Sequence, residues 1–413
     1  MVEHGHDQPL AGLRIVELSS FVATPLCGLA LAQLGAEVIR VEPLGGAPDR
    51  GRWPLSEQGT SLYWTGLNRG KKAVEVDLSQ PEGRRLVAEL VAGGGEDGGI
   101  VVSNSERHTD LGYEALSRLR PDLIHVQLVG RRDGGTAVDY TVQASSGFPL
   151  ASGPDNHEGP VNSTVPTWDL AAGLYLANGL LAAERHRSRT GRGRRIRVAL
   201  EDVALATAGT LGHLAEAQLR PDSASTPDGN HVYGSFGRDF QSADGERFMV
   251  VALTPRHWSD LVEATGLREV FGALEHSLGT DLSDEGARYT HREELAGLIA
   301  GWFARHQSDR IREALGATRV LWSTYRSFAR IAANGAETLR EHPLFHLAEQ
   351  PGVGAHYAPG GPVAVDGENA RPGPAPRVGE HTGAVLGGAL GLAEDDLKGL
   401  VERGVLRGAD PGT

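Results

Sequence analysis

The apolar positions in the first third of the chain fall into short runs separated by helical patterns. Residues 13–18 (LRIVEL) and 37–41 read as buried strands, and residues 25–34 between them read as a helix that ends at Gly35. A strand, a helix and a second strand at this spacing form a βαβ unit, which is right-handed by default. The pattern therefore predicts a parallel sheet at the start of the chain.

The same alternation continues as far as residue 219. The further strands predicted from apolar runs are 73–78, 100–103, 123–129 and 195–200. The further helices are 81–92, a segment that begins near Asp169 and ends in the basic tract 185–197, and one long helix at 201–219. Regular alternation of strands and helices predicts an α/β fold with a doubly wound, Rossmann-like sheet.

The pattern changes near residue 220. Residues 221–229 are rich in Pro, Ser and Asp and predict a linker, and residues 233–240 (YGSFGRDF) with the following Asp-Gly pair predict a hairpin. Helical segments then run to 333, with three tryptophans as expected core anchors: Trp258, Trp302 and Trp322. We predict a Rossmann-like large domain at 1–221, a smaller α+β domain at 222–333, and a C-terminal segment at 334–413.

Length and composition exclude several classes of protein. A chain of 413 residues favours two domains, and its net charge of −13 argues against general binding to nucleic acid or anionic membranes. Its one cysteine, Cys27, excludes an intramolecular disulfide and a cysteine-based zinc site, and no His-Glu-x-x-His spacing occurs. Residues 1–12 show no signal-peptide pattern and no apolar run reaches membrane-spanning length, so we expect a cytoplasmic protein.

Two stretches could bind a nucleotide-like ligand. The turn after the first strand, residues 19–25 (SSFVATP), lacks the G-x-G-x-x-G fingerprint, which argues against an NAD-dependent oxidoreductase. Arg50, Arg52 and residues 67–72 (LNRGKK) form a basic loop region that is a candidate for holding phosphates, with an ordinary solvated loop as the alternative. The basic tract 185–197 fits the C-terminal turn of a helix, where cations are favoured.

Asp169 is the candidate for chemistry. Pro166 disfavours a helical conformation in the residue before it, and the sequence after Asp169 is rich in Ala and Leu. Asp169 is therefore predicted to lie at a helix N-terminus. An aspartate in that place is either an N-cap or an ionised carboxylate held on a rigid element as a nucleophile. The local sequence fits both interpretations.

Longer strings across the whole chain resemble the class III CoA-transferase family, of the formyl-CoA transferase and CaiB/BaiF type. In order, these strings are LAGLRIVELS, LAQLGAEVIRVEP, NRGKKAVEVD, SRLRPDLIHV, VDYTVQASSG, WDLAAGLYLANGLLAA, RTGRGRRIRVALEDVAL and PRVGEHTGAVL. Shorter strings resemble the 2-methylfumaryl-CoA isomerase branch of that family: GRWP, VGRRDGG, AERHR and YGSFGRDF.

The resemblance implies an architecture and a set of substrates. It implies a homodimer of interlocked rings, in which each subunit has a Rossmann-like large domain containing both chain ends and a smaller domain. It implies acyl-CoA and a dicarboxylic acid as substrates, with CoA as part of the substrate, no permanently bound cofactor and no metal. The isomerase branch implies intramolecular transfer of CoA between the C1 and C4 carboxyl groups of 2-methylfumarate (mesaconate).

The resemblance also assigns roles to residues. Asp169 matches the catalytic aspartate. Attack by that aspartate on a thioester would require oxyanion donors, for which the backbone N–H groups at 21–23 or at the helix start are candidates. The positions expected to line the CoA site are Arg40, Leu67, Lys71, Lys72, Asn104, Val22 and Ala23. The cations that could hold the free carboxylate are Arg52, Arg131, Arg132 and Arg238, each of which has a surface salt bridge as its alternative role.

The chain departs from the family pattern at two places. Thr24 stands where the family commonly has a glycine before the proline of its first helix. Residues 137–139 read Ala-Val-Asp, where the related racemases have Gly-His-Asp. Without that imidazole, proton exchange at an α-carbon lacks one of its two partners, so racemase activity is not expected. Asp139 is expected to orient neighbouring groups.

Four functions follow from these observations. The first is intramolecular CoA transfer through an aspartyl-CoA thioester, and the second is intermolecular CoA transfer between a dicarboxyl-CoA such as succinyl-CoA and a free organic acid. The third is an NAD-dependent oxidoreductase built on the βαβ unit. The fourth is a CoA-binding scaffold without catalysis, in which Asp169 is only a helix cap.

Overall fold

The computed structural model describes residues 8–105, 107–154, 157–221 and 227–407, with the backbone alone at 334 and 335. Part of the predicted linker, residues 222–226, lies outside the described residues. Contacts divide the chain into a larger unit, with the described residues of Met1–Ser146, Ser163–Leu211 and Asn334–Thr413, and a smaller unit, with those of Gly147–Asn162 and Gly212–Ala333. The independent domains expected at 1–221 and 222–333 stay a prediction.

A six-stranded parallel sheet forms the centre of the larger unit. Its strands are β1 (Arg14–Leu18), β2 (Glu37–Glu42), β3 (Lys72–Glu75), β4 (Ile100–Ser103), β5 (Ile124–Val129) and β6 (Arg194–Ala199). They lie in the order β3-β2-β1-β4-β5-β6, and every neighbouring pair is parallel. This arrangement confirms the predicted parallel α/β sheet. The order reverses between β1 and β4, and the crevice outside the carboxyl ends at such a point is where open α/β sheets bind ligands.

The remaining strands are antiparallel. They are β7 (Phe236–Gln241), β8 (Arg247–Ala252), β9 (Leu321–Thr324), β10 (Phe345–Gln350), β11 (Gly354–Pro359), β12 (Ala364–Val365) and β13 (Glu368–Asn369). In the smaller unit, β7, β8 and β9 form one sheet, and the pairing of β7 with β8 confirms the predicted hairpin. The pairs β10–β11 and β12–β13 belong to the C-terminal part of the larger unit.

Helices make up most of the rest of the described chain. In order they are α1 (Ala23–Ala32), α2 (Leu62–Leu67), α3 (Pro81–Ala92), α4 (Tyr113–Leu119), α5 (Asp139–Ser145), α6 (Phe148–Ala151), α7 (Thr167–Thr190), α8 (Leu200–Thr210), α9 (His213–Leu219), α10 (Pro255–Thr265), α11 (Arg268–Leu278), α12 (Glu285–Thr290), α13 (Arg292–Phe303), α14 (Ser308–Gly316), α15 (Phe328–Ile331), α16 (Ala333–Glu341), α17 (Thr382–Leu390) and α18 (Glu394–Glu402). Short 3-10 helices occur at Pro48–Gly51 and Thr109–Leu111. Among the described helices, none has the length and apolar character needed to cross a membrane.

Apolar side chains cover both faces of the parallel sheet. Successive residues of a strand point to opposite faces, so Ile15 belongs to one buried cluster and Val16 to the other. The cluster containing Ile15 packs against α1 and α7. The cluster containing Val16 packs against α3 and includes Leu386 of α17 and Leu400 of α18. The C-terminal helices therefore complete the core of the larger unit.

The smaller unit has a core of its own. Its three-stranded sheet packs against α10 and α13 through buried aromatic side chains. Trp258 and Trp302 are buried in this cluster, and Trp322 packs against it, which confirms all three predicted core anchors.

Two predicted helices differ from the observed ones. The single helix expected at 201–219 is wrong, because it is two helices, α8 and α9, separated at Gly212, whose φ is +89°. A residue at positive φ cannot continue a right-handed helix, and glycine adopts that conformation readily. The helix expected to begin at Pro25 begins at Ala23 instead. Proline is tolerated in the first turn, where its missing N–H would have no intrahelical partner.

Candidate functional site

A cavity of about 480 Å³ opens at the carboxyl ends of β1, β4 and β5. The residues that line it come from the loops after these strands and from the starts of α1 and α7, and they include Phe21, Val22, Ala23, Arg52, Asn104, Asp139, Tyr140 and Asp169. Five of the predicted site residues, Val22, Ala23, Arg52, Asn104 and Asp169, therefore lie around one space. It has the position expected for a ligand in a doubly wound sheet.

Asp169 lies in the first turn of α7, three residues after the N-cap, which is Pro166. The carboxylate of Asp169 makes no capping hydrogen bond, so the interpretation of Asp169 as an N-cap is wrong. Asp139 does this work instead, because its Oδ2 accepts the backbone N–H of Trp168 at 2.7 Å and that of Asp169 at 3.1 Å. Among the described residues, no hydrogen bond is made to the carboxylate of Asp169 itself.

Asp139 is buried and held in place from its other side. Its Oδ1 accepts Nε2 of Gln143 at 2.6 Å, and Oε1 of Gln143 accepts the backbone N–H of Ser163 at 3.0 Å. This agrees with the expectation that Asp139 orients its neighbours. Its capping of α7 could not be found from the sequence, because the donors lie about thirty residues further along the chain.

The surroundings of Asp169 disfavour its ionised form. Burial and the negative charge of Asp139 raise the pKa of Asp169 to about 6, and the positive charge of Arg52 opposes the increase. A carboxyl group whose pKa is shifted by burial and by a specific charged partner in a cleft is a candidate for catalysis. At neutral pH it is largely ionised and has no hydrogen bond to lose before it reacts.

The N-terminus of α1 forms one wall of the cavity. Val22 and Ala23 are buried there, and the backbone N–H groups of Val22, Ala23 and Thr24 have no acceptor among the described residues. Phe21 precedes them with a φ of +67°, and its N–H donates to Oδ2 of Asp49 at 2.8 Å. Free N–H groups at a helix start attract negative charge. The wall therefore suits an oxyanion.

Arg52 is the predicted cation that lies in the cavity. Its guanidinium carbon is 4.7 Å from the ring centre of Tyr63 and 5.7 Å from that of Phe21. No carboxylate in the described part of the chain pairs with this guanidinium, and it lowers the pKa of Asp169. Arg52 is thus positioned to receive an anion.

The other arginine candidates already have partners. Arg131 pairs with Glu201 at 3.4 Å and Arg132 with Asp202 at 2.7 Å, both on α8. Arg238, in the smaller unit, donates to Glu293 at 2.7 Å and contacts His231. In the structure each of these three arginines forms a salt bridge, which is the alternative role named for it.

Arg40 and Lys71, which were expected to line the CoA site, lie inside a buried cluster of charges. The guanidinium of Arg40 contacts the carboxylates of Glu17, Glu42 and Asp49, and none of it is exposed. Nζ of Lys71 donates to Glu17 at 2.9 Å, and burial lowers the pKa of Lys71 to about 8. Neither residue lines the cavities described for this chain, so their contact with CoA stays a prediction that this arrangement does not support.

Leu67 and Lys72 also lie away from the described cavities. Leu67 is the half-buried last residue of α2, and Lys72 begins β3 with its ammonium group paired to Glu37. Asn104, in contrast, lines two of the described cavities, and its Nδ2 donates to the carbonyl of Ser20 at 2.9 Å. Of these five side chains, which the family resemblance assigns to the CoA site, Asn104 alone lines the crevice.

A second cavity of about 600 Å³ adjoins the first, because Ser20, Phe21 and Asn104 line both. It lies at the carboxyl ends of β1, β2 and β4, and Arg107 and His108 contribute to its wall. Neither residue was predicted from the sequence. They follow the same strand end as Asn104, and that position was the signal that could have identified them.

The largest cavity described, of about 1000 Å³, lies elsewhere in the larger unit. It is lined by Trp64, by the segment around Arg377 and by α18. Of the residues predicted to bind a ligand it contains Arg50 alone, whose guanidinium is paired with Glu42 at 2.6 Å. Among the described residues, no group of His, Cys, Asp and Glu side chains is suited to hold a metal ion. The adjoining pair of cavities is therefore the candidate site.

Comparison with solved structures agrees with this fold. A CaiB/BaiF family protein from Brucella suis superimposes with a TM-score of 0.73 over 92% of this chain and 98% of that chain, at 24% identity. A protein from M. tuberculosis gives a TM-score of 0.71 over 92% of this chain and 99% of its own, also at 24% identity. The resemblance to CaiB/BaiF proteins is confirmed at the level of fold.

Comparison with characterised sequences extends the similarity to the family. The 2-methylfumaryl-CoA isomerase of Chloroflexus aurantiacus is 44% identical over 97% of this chain and 98% of its own. The succinyl-CoA–D-citramalate CoA-transferase of the same organism is 29% identical over 97% and 98%, and the succinyl-CoA:mesaconate CoA-transferase of Haloarcula hispanica is 32% identical over 74% and 78%. Residues 10–382 match CoA-transferase family III, and the chain belongs to that family.

Proposed function

We propose that this protein transfers CoA within one molecule, between the C1 and C4 carboxyl groups of 2-methylfumarate, with Asp169 as the nucleophile. The observation that carries the proposal is the carboxylate of Asp169, which lies in a cavity at the sheet's reversal point without a hydrogen bond and with a pKa near 6. The choice of 2-methylfumarate is supported by the 44% identity to the isomerase of Chloroflexus aurantiacus.

The first half of the reaction moves the acyl group and then CoA onto the enzyme. An oxygen of Asp169 attacks the thioester carbonyl carbon, the C–S bond breaks, and the CoA thiolate leaves a mixed anhydride behind. The thiolate then attacks the Asp169 carbonyl of that anhydride. The C–O bond to the diacid breaks, which leaves an aspartyl-CoA thioester and the free dicarboxylate. Each step exchanges one activated acyl group for another, so no net proton, metal or nucleotide is consumed.

The second half runs the same steps in reverse on the other carboxylate. The diacid turns in the site, its second carboxylate attacks the aspartyl thioester, and the thiolate returns to the new anhydride carbon. Keeping the diacid bound makes this attack effectively unimolecular, and well-oriented intramolecular reactions gain about 7–11 kcal/mol in favourable cases. Retention of the dicarboxylate is therefore as important as activation of Asp169.

The N-terminus of α1 is suited to stabilise the tetrahedral intermediates. The N–H groups of Val22, Ala23 and Thr24 have no acceptor among the described residues, and Val22 and Ala23 share a cavity with Asp169. Preorganised donors aimed at a developing oxyanion lower the barrier, and removal of one such donor costs about 10²–10³ in kcat.

The adjoining cavity is suited to the nucleotide part of CoA. It lies outside the carboxyl ends of β1 and β4, and its wall contains the side chains of Arg107 and His108. Arginine is a strong partner for phosphate oxygens. Asn104 lines both cavities, so the pantetheine arm would pass beside it to bring the thioester to Asp169.

Arg52 is suited to hold the carboxylate that is not reacting. It lines the same cavity as Asp169, and no acidic side chain among the described residues neutralises it. A hydrogen-bonded pair with a charged group contributes about 1.5–3 kcal/mol. The same contact would recognise the second carboxylate after the diacid turns, which keeps the free acid from leaving.

A second candidate is intermolecular transfer, from a dicarboxyl-CoA such as succinyl-CoA to a free organic acid. It is favoured by the 32% identity to the succinyl-CoA:mesaconate CoA-transferase of Haloarcula hispanica. Both candidates use the same aspartyl thioester and differ only in whether the first diacid leaves. We also propose the homodimer of interlocked rings, which rests on the family resemblance.

The covalent step can be tested directly. After incubation with 2-methylfumaryl-CoA and proteolysis, we expect mass spectrometry to find CoA attached to the peptide that contains Asp169. Asp169→Asn should abolish the adduct and lower kcat by about 10⁴ or more, because it removes the nucleophile of covalent catalysis. The melting temperature at neutral pH should not fall, since the Asp169 carboxylate makes no capping bond in α7 and its ionised form is disfavoured by burial and by Asp139.

Asp202→Asn is the matched control, because Asp202 also lies in the first turn of a helix, α8, and lines neither candidate cavity. We expect this variant to keep wild-type turnover. An adduct on another peptide, or full turnover in Asp169→Asn, would contradict the assigned nucleophile.

Labelling separates the two transfer modes. The protein is incubated with unlabelled 2-methylfumaryl-CoA and an excess of ¹³C-labelled free 2-methylfumarate, and the thioesters are followed by mass spectrometry. For intramolecular transfer we expect the C4 thioester to form while the thioester pool stays unlabelled, because the diacid does not leave. Entry of label as fast as the isomer forms would instead support the intermolecular candidate.

The role of Arg52 can be tested by substitution. Arg52→Gln should lower kcat/KM for 2-methylfumaryl-CoA by about 10- to 100-fold, as expected for the loss of a charged hydrogen bond. It should have a much smaller effect on adduct formation from an acyl-CoA that lacks a second carboxylate. Arg85→Gln, on the exposed surface of α3, is the control and should change neither value. Equal losses with both thioesters would rule out carboxylate recognition by Arg52.

The pH dependence follows from the pKa of Asp169. Because the ionised form reacts, kcat/KM should rise with pH around a midpoint of about 6. Asp139→Asn removes the like charge and should move the midpoint to lower pH, while its amide oxygen still accepts from the start of α7. Arg52→Gln removes the opposing charge and should move the midpoint to higher pH. A midpoint common to all three proteins would show that another group controls the profile.

A further inference from the structure

A cluster of fully buried charges lies next to the turn that leads into α1. At its centre is Arg40 of β2, which is bonded to Glu17 of β1, to Glu42 and to Asp49. The contact with Asp49 has two bonds from Nη2, at 3.0 Å to Oδ1 and at 2.9 Å to Oδ2. One buried guanidinium nitrogen thus contacts both carboxylate oxygens, which restricts rotation of the Asp49 carboxylate. The side chain of Asp49 is therefore held rigidly.

The same Asp49 holds the backbone of the turn. Its Oδ2 accepts the N–H of Phe21 at 2.8 Å, and Phe21 has the left-handed backbone conformation with a φ of +67°. This conformation is unfavourable for a residue with a side chain, because Cβ approaches the following carbonyl oxygen. Packing in a core does not compensate for this cost, since about half of the Phe21 residue (52%) is exposed.

The conformation of Phe21 determines where the next two residues point. Val22 is the N-cap of α1 and Ala23 its first residue, and both line the cavity with Asp169. Their N–H groups are the donors assigned above to the oxyanion. If Phe21 moved to the right-handed or extended region, the chain would enter α1 from another direction and the N–H of Val22 would turn away.

We propose that Asp49, oriented by Arg40, is a positioning residue that keeps Phe21 left-handed and so aims the N–H groups of Val22 and Ala23 into the cavity. This inference rests on the proposed function, because it gives those N–H groups their oxyanion role. It assigns to Arg40 an indirect contribution through Asp49. It also explains how position 21 can hold a phenylalanine with a left-handed backbone, although glycine would be less strained there.

A purely structural role for Asp49 would be to neutralise Arg40. That role does not depend on which residue occupies position 21. The positioning role does, because glycine at position 21 adopts positive φ without assistance, whereas alanine does not. Alanine and glycine both lack the ring of Phe21, so the two backgrounds differ in backbone preference alone.

The test is a double-mutant cycle measured by CoA transfer from 2-methylfumaryl-CoA. Asp49→Ala is introduced into the Phe21→Ala protein and into the Phe21→Gly protein, and kcat and KM are measured for all four. In the Ala background we expect Asp49→Ala to lower kcat by about tenfold, which is the penalty for populating the left-handed conformation. In the Gly background we expect a loss below about threefold. KM should change little in either.

Asp260 provides the matched control. Like Asp49, it accepts a backbone N–H and two bonds from an arginine, in this case all from Arg319. It lies in α10 of the smaller unit and lines none of the described cavities. Asp260→Ala should leave kcat unchanged in both backgrounds. Equal losses of kcat for Asp49→Ala in the Ala and Gly backgrounds would overturn the proposal.

The two single variants at position 21 keep the proposal testable if Asp49→Ala does not fold. When Asp49 is present, its bond to the N–H of residue 21 should hold the turn in both single variants. The kcat values of Phe21→Ala and Phe21→Gly should therefore differ by less than about threefold, which is well below the tenfold penalty expected for a left-handed alanine without that bond. A difference of tenfold would show that Asp49 does not fix the turn. Failure of the proposed function is recognised separately, because the wild-type protein would then transfer no CoA at all.

Discussion

The candidate site depends on the cap that Asp139 provides for α7, because its carboxylate accepts backbone N–H groups from the first turn of that helix. A helix N-terminus requires acceptors, and an aspartate in its first turn is an obvious acceptor. Because Asp139 accepts the N–H of Trp168 and of Asp169, the carboxylate of Asp169 is not needed as an acceptor there. The same contact brings a second negative charge close. Burial is the larger cause of the raised pKa of Asp169, and the charge of Asp139 adds to it. The residue that caps α7 therefore also contributes to the raised pKa of Asp169.

Two further features balance the charges at this point. The N-terminal dipole of α7 favours negative charge, and Arg52 supplies a full positive charge in the same cavity. Arg52 opposes the increase caused by burial and by Asp139, and the pKa of Asp169 is about 6, so the group is largely ionised at neutral pH and is still more basic than an exposed aspartate.

Much of the fold could be predicted from the sequence because its signals are local. The strands at 100–103 and 123–129 and the helix at 81–92 each carry their periodicity within a few residues, and the structure places them within one residue of those bounds. The break at Gly212 was missed, because an isolated glycine in a helical pattern is often tolerated.

The site could be predicted only in part. Asp169, Val22, Ala23, Arg52 and Asn104 follow strand ends or begin helices, so the α/β topology brings them together. Arg40 was assigned to the ligand by its place in a family string, yet it lies within β2 and directly opposite Glu17 of β1. The register between two strands determines that pairing, and a single sequence does not contain it.

Phe21 and Asp169 have in common that each is held in a state unfavourable for an isolated residue. Phe21 has a left-handed backbone, and the ionised form of Asp169 is disfavoured by burial and by Asp139. The pKa of Asp169 is higher in the folded chain than in the unfolded one, so its contribution to stability is present at low pH and is lost as pH rises through about 6.

These unfavourable states persist because rigid neighbours impose them. Arg40 orients Asp49 and Gln143 orients Asp139, and both of these carboxylates are buried. Strain or charge at a functional site is maintained only where the surroundings determine it fully. Buried polar residues that do not line the cavity therefore help to maintain these two states. We expect substitutions at Arg40 or Gln143 to alter the geometry around Asp169 as well as stability.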